Sequence, residues 1–243
     1  MAGFLGGFNG QKFRHLLAQE GLTGLFGRVE GETRECHILL DGRAHPTEVY
    51  ENGPFVTPDD LRDLARRLPE GRLIVSGSLP RGLTPDDFGA LLRELPYKPV
   101  VDSSGEALRA ALEAGVALVK PNRTELGSLL PVSGEGVAEA RLLYGTYGVP
   151  ILLSLGAKGA AYVAEQTLVV PAPEVEVRNP VGSGDCLLAA FVWARTGGWS
   201  LEDALRLGVV AGAENAVRGG GADLTRAGVM ARFMVSRDLA KKS

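Results

Sequence analysis

Short apolar segments alternate with amphipathic helical patterns along most of this chain, and that alternation constrains the fold more than any other feature. Leucines at helical spacing, such as Leu61, Leu64 and Leu68, separate runs that are typical of strands. We expect these strands at 73–75, 100–101, 116–119 and 151–153, the first of them buried. Such alternation predicts an α/β fold with a largely parallel sheet and helices on both faces. Because ligands bind beyond the carboxyl ends of such strands, the polar segments that follow them form the candidate site.

Helix starts are predicted at two identical TPDD segments, 57–60 and 84–87. In each segment a threonine is placed to cap the helix, a proline takes the first helical position, and two acids follow in the first turn. Asn9 is predicted to cap an earlier helix.

The stretch from 22 to 54 is predicted to be β-rich and polar on one face. Extended segments are expected at 22–29 and 34–40, and the Asp41-Gly42 pair is a strong signal for a hairpin turn into a strand at 48–50.

Composition limits the classes of protein to be considered. With 243 residues, 45% of them hydrophobic, the chain can bury the core of one α/β domain. A formal net charge of −3 without a basic block does not indicate a nucleic-acid surface. Two cysteines, Cys36 and Cys186, are too few for a disulfide framework or a metal cage and fit a reducing cytoplasm. Neither a membrane span nor a secretory signal is indicated.

The sequence NPVGSGDCLLAAF at 179–191 predicts an anion-binding turn that leads into a helix. Gly182 and Gly184 allow the backbone to approach a ligand closely, with Ser183 between them, and a helix N-terminus favours phosphate. Asp185 would lie beside that charge, which suits a general base that accepts a proton from the group attacking phosphorus. The alternative is an ordinary strand-to-helix loop in which Asp185 caps the helix.

A second polar segment, KPNRTE at 120–125, follows the predicted strand at 116–119 directly. It offers the amide oxygen of Asn122 and the carboxylate of Glu125, and oxygen ligands suit a hard cation such as magnesium. The alternative is a helix that Asn122 caps, with Glu125 as the partner of a capping box.

A third segment, SLGAKGA at 154–160, lies at the end of another predicted strand. Lys158 could bring positive charge to a phosphate, as a flexible ammonium group does. The alternative is a simple turn with a solvated lysine.

These segments together resemble the PfkB, or ribokinase-like, family of carbohydrate kinases over nearly all of residues 3–235. The resemblance implies a three-layer α/β/α kinase domain over 1–243, with a mostly parallel sheet and a small β lid within 22–54. It also implies roles for individual residues. Asp185 would be the catalytic base, and the turn formed by Gly182, Ser183 and Gly184 would hold the transferring phosphate. Lys120, Ser154, Gly156, Lys158, Gly159 and Asn215 would border the nucleotide, and Asn122 and Glu125 would lie near magnesium, through water.

Two further segments resemble the substrate side of the family. SGSLPRG at 76–82 matches a loop in which a serine, here Ser78, contacts the sugar phosphate. Arg34 matches an arginine that binds the substrate's phosphate, which a planar guanidinium does well. Cys36 stands where relatives usually have asparagine. TEVYENGP at 47–54 resembles the branch of 1-phosphofructokinases and tagatose-6-phosphate kinases.

The resemblance implies ATP- and magnesium-dependent phosphorylation of a ketohexose phosphate in the cytoplasm, with fructose 1-phosphate as the favoured acceptor and a possible homodimer through the lid strands. Tagatose-6-phosphate kinase and 6-phosphofructokinase are alternatives. Relatives carry a first strand with a substrate-binding aspartate and a GGKGxN segment that this sequence lacks, so an N-terminally shortened chain is expected. That expectation leaves a catalytically silent nucleotide-binding protein open. A dinucleotide-dependent oxidoreductase is disfavoured, because no GxGxxG segment has a suitably spaced acid.

Overall fold

The computed structural model describes residues 1–39 and 47–240. By its internal contacts the chain divides into two compact units, Met1–Val116 and Ala117–Ser243, which are described separately below. The single kinase domain expected from the sequence stays a prediction.

The first unit combines one parallel strand pair near its start, a β-hairpin, and a second parallel pair flanked by helices. β1 pairs parallel with β2, β3 pairs antiparallel with β4, and β5 pairs parallel with β6. Its elements are β1 (Ala2–Leu5), α1 (Gly7–Gln19), β2 (Leu25–Arg28), β3 (Cys36–Leu39), β4 (Thr47–Tyr50), α2 (Pro58–Arg66), β5 (Ile74–Ser76), α3 (Pro85–Glu94), β6 (Val100–Asp102) and α4 (Gly105–Glu113).

The helix starts predicted at 57–60 and 84–87 are confirmed. In α2 the Thr57 hydroxyl accepts a hydrogen bond from the N–H of Asp60, and the Asp60 carboxylate accepts one from the N–H of Thr57. Thr84 and Asp87 make the same capping box at α3. Hydrogen bonds from the two threonines lower the pKa of both aspartates. All partners lie within four residues, which is why the sequence alone predicts them.

The prediction that Asn9 caps the first helix is wrong. α1 begins at Gly7, and Asn9 lies inside it. The carboxylate of Glu32 satisfies the helix start instead, because it accepts hydrogen bonds from the N–H groups of Phe8 and Asn9, both at 3.0 Å. The Asn9 side chain donates to the carbonyl oxygen of Thr33. A cap supplied from more than twenty residues away has no local sequence signal.

The prediction of a buried strand at 73–75 is also wrong in part. The strand β5 is present, but Ile74 is 39% exposed. Within the described part of its unit, β6 is the strand that pairs with β5, so β5 is an edge strand there. Apolar composition predicted the strand, whereas its exposure depends on which elements cover it.

Both strands of the β-hairpin predicted within 22–54 are present and pair with each other. Cys36 pairs with Tyr50, and Leu39 pairs with Thr47. The predicted turn at Asp41-Gly42 lies outside the described residues.

The second unit contains strands that adjoin the candidate site and a helical layer. β7 pairs parallel with β8, and β8, β9 and β10 form an antiparallel meander. The strand predicted at 151–153 is present as β8, and Ile151, Leu152 and Leu153 are fully buried. The elements of the second unit are β7 (Leu118–Val119), α5 (Arg123–Gly127), α6 (Val137–Tyr147), β8 (Ile151–Ser154), a 3₁₀ turn (Gly156–Lys158), β9 (Ala160–Val163), β10 (Thr167–Val170), α7 (Ser183–Thr196), α8 (Leu201–Ala216) and α9 (Arg226–Ala240).

Across the described ranges, no helix has the length and apolar character that a membrane crossing needs.

Candidate active site

The turn at the start of α7 has the backbone geometry of an anion site. Gly182 is the N-cap residue and adopts the left-handed conformation, with φ +81° and ψ −4°. The helix proper begins when the N–H of Cys186 donates to the carbonyl oxygen of Gly182. N–H groups of a first helical turn have no partners within the helix, and the helix dipole adds positive potential at the same end. The turn therefore favours a phosphate.

A cavity of about 670 Å³ in the second unit opens at this turn. Two residues of the turn line this cavity. The other predicted residues that line it belong to the segments 120–125 and 154–160. Of the predicted residues, those that line the cavity are Lys120, Asn122, Ser154, Gly156, Gly159, Ser183 and Gly184. The fold thus brings together three segments that are distant in sequence, each beyond the end of a strand or at a helix start.

Lys120 adds a positive charge next to the α7 turn. The side chain is buried, with 5% of the residue exposed. Its ammonium nitrogen lies 3.3 Å from the position that a Cβ on Gly184 would occupy. The ammonium group and the helix end both attract an anion, so the electrostatics of this part of the cavity suit phosphate groups.

Asp185 faces a different cavity from the two residues that precede it. The residue is exposed and borders a cavity of about 540 Å³ whose other walls include Ala189 and Trp193 of the same helix. Ser183 and Gly184 border the 670 Å³ cavity. Successive residues of one helical turn therefore face two cavities, and the walls of the second are mainly apolar, with Leu207 and Val229 among them.

Asn122 and Glu125 form a capping box at the start of α5, which is the alternative that the sequence left open. The Asn122 side-chain oxygen accepts from the N–H of Glu125 at 2.9 Å, and the Glu125 carboxylate accepts from the N–H of Asn122 at 2.8 Å. Asn122 lines the cavity, whereas Glu125 is absent from its lining.

The described residues offer few protein ligands for a magnesium ion. Among the described residues, no group of three or more histidine, cysteine, aspartate or glutamate side chains could hold a metal ion. Mg²⁺ usually keeps several waters and is held by one or two carboxylates together with substrate phosphates. Asn122 borders the 670 Å³ cavity and Glu125 does not, so this pair would reach a magnesium ion held by nucleotide phosphates only through water.

The Lys158 side chain forms an ion pair with a carboxylate and does not line the cavity. Its ammonium lies 2.6 Å from the carboxylate of Glu135, and the two side chains are 68% and 44% exposed. Glu135 borders the cavity, as do Gly156 and Gly159 on either side of Lys158. The lysine therefore neutralises an acid at the cavity's edge, which is a contact that the sequence did not indicate.

Asn215 lies beneath the α7 turn, fully buried, and is absent from the cavity lining. Its amide donates to the carbonyl oxygen of Val181 at 2.8 Å and to the hydroxyl oxygen of Ser183 at 3.0 Å. Its oxygen accepts from the N–H of Ala222 at 2.6 Å. The backbone N–H of Ser183 already has a partner, because it donates to the carbonyl oxygen of Pro180 at 3.1 Å.

The two predicted substrate residues contact each other in the first unit. The guanidinium of Arg34 donates to the hydroxyl of Ser78 at 3.1 Å, although the residues are 44 positions apart. Both line a cavity of about 420 Å³, together with Arg81 and Glu51. Arg81 was not singled out from the sequence; its signal was its place in the same loop as Ser78. Two arginines at one cavity favour an anionic ligand.

Comparison with known proteins places the chain in a family. Residues 1–226 match the model of the pfkB family carbohydrate kinases. The chain belongs to this family of sugar kinases, as the resemblance in the sequence predicted.

The chain is similar to several proteins that are named 1-phosphofructokinase. The protein of Haloferax volcanii is 36% identical over 219 residues, which cover 86% of this chain and 70% of the relative. The Bacillus subtilis protein is 32% identical, covering 88% of this chain and 74% of the relative. The Escherichia coli K12 protein is 34% identical, covering 85% and 70%.

Solved structures confirm the predicted fold. Phosphofructokinase-2 from Escherichia coli, in complex with potassium, superimposes with a TM-score of 0.87 at 27% identity, covering 96% of this chain and 81% of that one. Ribokinase from Thermotoga maritima superimposes with a TM-score of 0.76 at 18% identity, covering 95% and 80%. The fold is ribokinase-like, a three-layer α/β/α arrangement with a mostly parallel sheet.

Proposed function

We propose that this kinase transfers the γ-phosphate of ATP to a hydroxyl of a ketohexose phosphate, with fructose 1-phosphate as the favoured acceptor and fructose 1,6-bisphosphate as the product. The observation that carries the proposal is the start of α7, where Ser183 and Gly184 border the 670 Å³ cavity beside the buried ammonium of Lys120, and the exposed Asp185 follows in the same turn. The relatives named 1-phosphofructokinase, at 29–36% identity, support this acceptor.

In the proposed reaction the acceptor oxygen attacks the γ-phosphorus, the bond to the bridging oxygen breaks, and ADP leaves. The carboxylate of Asp185 takes the proton of the attacking hydroxyl. The N–H groups of Gly184 and Asp185 and the ammonium of Lys120 stabilise charge on the transferring phosphoryl group. Magnesium, when bound with the nucleotide, neutralises phosphate charge, and Asn122 and Glu125 are the residues proposed to orient it through water.

Ser154, Gly156 and Gly159 are proposed to border the nucleotide, since all three line the 670 Å³ cavity. Arg34 and Ser78 are proposed to bind the phosphate of the acceptor sugar. Their hydrogen bond to each other holds the guanidinium in place before a ligand arrives, which lowers the entropy cost of binding.

The β3–β4 hairpin is the proposed contact of a homodimer. The two strands form a sheet of their own, and Leu39, Val49 and Tyr50 are each more than half exposed. Apolar side chains on a two-stranded ribbon favour burial against a second copy. A cytoplasmic location is proposed because both cysteines are free thiols.

Fructose 6-phosphate is a second candidate acceptor, because a similar solved structure contains it. Phosphofructokinase-2 from Escherichia coli has been solved with fructose-6-phosphate, and it superimposes on this chain with a TM-score of 0.83 at 27% identity. The deciding assay is magnesium-dependent ADP release with fructose 1-phosphate, fructose 6-phosphate, tagatose 6-phosphate and no sugar. Faster release with fructose 1-phosphate is expected. A folded chain that binds ATP but turns over none of the three would be a silent nucleotide-binding protein.

The role of Asp185 is tested with Asp185→Asn. We expect kcat to fall by about 10² to 10⁴, because the base is removed, while the affinity for ATP is kept. Asp203→Asn is the matched control, since Asp203 is also an acid in the first turn of a helix. If Asp185 were only a helix cap, both variants would lose a little stability and keep their activity.

A further inference from the structure

Asn215 is the most deeply buried polar residue in the described part of the chain. None of its surface is exposed, and it lies on α8, most of whose side chains are buried and apolar. A buried amide without partners costs several kcal/mol, so its position is acceptable only because its hydrogen bonds are made. All of the bonds identified above lead to the loops at the start of α7 and before α9.

The orientation of the Asn215 amide follows from its partners. The N–H of Ala222 can only donate, so the atom it meets must be the amide oxygen. The amide nitrogen then faces the carbonyl oxygen of Val181 and the hydroxyl oxygen of Ser183. Its two hydrogens match these two acceptors, so the orientation is unique.

This orientation determines what the Ser183 hydroxyl can do. Because Ser183 accepts from Asn215, the hydroxyl hydrogen cannot point at the amide and is directed to another acceptor. Ser183 lines the 670 Å³ cavity, and its backbone N–H is already bonded to Pro180. Serine can therefore reach a ligand in the cavity through its hydroxyl, as a donor that the amide polarises.

The same amide holds the backbone of the turn. Ala222 has φ +57° and is the one residue other than glycine with a positive φ among those described. An L-residue in this conformation is disfavoured by about 1–2 kcal/mol, and the bond from its N–H to Asn215 offsets that cost. On the other side, the bond to Val181 holds the residue that precedes the left-handed Gly182.

We propose that Asn215 is a positioning residue for phosphoryl transfer: it orients the Ser183 hydroxyl as a hydrogen-bond donor to the transferring phosphate and holds the Gly182 turn in its binding geometry. The inference rests on the proposed function, in which this cavity takes the phosphates of ATP. The resemblance implied that Asn215 borders the nucleotide. In this proposal Asn215 acts on the phosphate through Ser183 instead.

The main test is Asn215→Asp, which keeps the size of the side chain. A carboxylate cannot donate to Val181 or Ser183, and it would draw the serine hydrogen inward. We expect kcat to fall by about 10²-fold, as when one donor to a developing anion is removed, with little change in the Kd for ATP. Ser183→Ala should give a similar loss, and the double variant should lose little more, because both changes remove the same interaction.

Glu214→Gln is the matched control on the same helix. Glu214 is also buried, but it bonds to Arg218 and Arg232 and not to the turn. Its variant should lose stability and keep kcat. If Asn215→Asp does not fold, Ser183→Ala and Ser183→Thr decide, since threonine keeps the hydroxyl. A wild-type kcat in Ser183→Ala would overturn the proposal.

A binding measurement separates this inference from the proposed function. ADP with aluminium fluoride resembles the phosphoryl group in transfer, and its affinity can be measured without turnover. Asn215→Asp and Ser183→Ala should weaken this complex about tenfold or more and leave the affinity for ADP alone unchanged. Absence of sugar turnover in the wild type, with this pattern present, would refute the proposed function alone. Equal effects on both ligands would refute the role of Asn215.

Discussion

Gly159 gives the most quantitative prediction about the nucleotide side of the cavity. It follows the 3₁₀ turn with φ +101° and ψ −132°, a region that is essentially restricted to glycine. A Cβ there would lie 2.0 Å from the carbonyl oxygen of Val170 and 2.7 Å from the N–H nitrogen of Ala172. Both are backbone atoms, so no rotamer change can relieve the clash. Gly159→Ala must therefore distort either the turn or the end of β10.

The expected loss follows from two contributions. An unfavourable backbone conformation costs about 1–3 kcal/mol, and forcing extra volume into a packed region costs about 1–3 kcal/mol more. Gly156→Ala is the matched control, because Gly156 lies in the same turn with φ +60° and a Cβ there would meet nothing within 4 Å. Only the backbone term applies to it, about 1–2 kcal/mol.

Urea unfolding followed by tryptophan fluorescence measures the difference. The chain's two tryptophans, Trp193 and Trp199, both belong to the unit that contains Gly159, so the signal reports on that unit. We expect Gly159→Ala to lower the unfolding free energy by about 2 kcal/mol more than Gly156→Ala, at an unchanged m-value. Equal losses in the two variants would refute the close approach of Gly159 to β10.

Two further predictions concern charged residues. The hydrogen bond from Arg218, together with that from Arg232, lowers the pKa of Glu214 despite its burial. A carboxyl group with a depressed pKa contributes stability above its unfolded pKa of about 4.3 and loses it as the pH falls through the lower folded value. Glu214→Gln should therefore cost about 1–3 kcal/mol at pH 7, and the gap to the wild type should narrow progressively as the pH falls below about 4.3; a gap that does not change with pH in that range would contradict the ion pairs. Lys158→Ala should lower stability by at most about 1 kcal/mol, less at high salt, since the pair with Glu135 is exposed. A large rise in the KM for ATP would instead assign Lys158 to the phosphates.

Features with local causes were predictable from the sequence. The capping boxes at α2 and α3 join residues three positions apart, so the TPDD segments determine them wherever the helices lie. The central strands follow from apolar runs bounded by turn residues. Candidate site segments were found for a similar reason, because a glycine-rich turn before a helix and an oxygen-bearing residue after a strand have chemical meaning within a few residues.

Features that depend on distant partners were not predictable. Glu32, and not Asn9, accepts hydrogen bonds from the N–H groups at the start of α1, and the ammonium of Lys158 binds Glu135. The sequence also gave no sign that Arg34 and Ser78 hydrogen bond to each other, although each was a candidate. In all these cases the partner lies more than twenty positions away, and only the folded chain brings the two together.

The α7 turn has features with local causes and features that depend on distant partners. Its glycines, serine and aspartate left two interpretations open, a phosphate-binding helix start and an ordinary capped helix, and the resemblance of the wider sequence to the PfkB family favoured the first. Tertiary structure alone decided that Asp185 faces a different cavity from Ser183, and that Asn215 lies beneath the turn. The physical reason is that local sequence determines backbone conformation and available chemical groups, whereas burial and hydrogen-bond partners depend on packing between segments that are far apart in the chain.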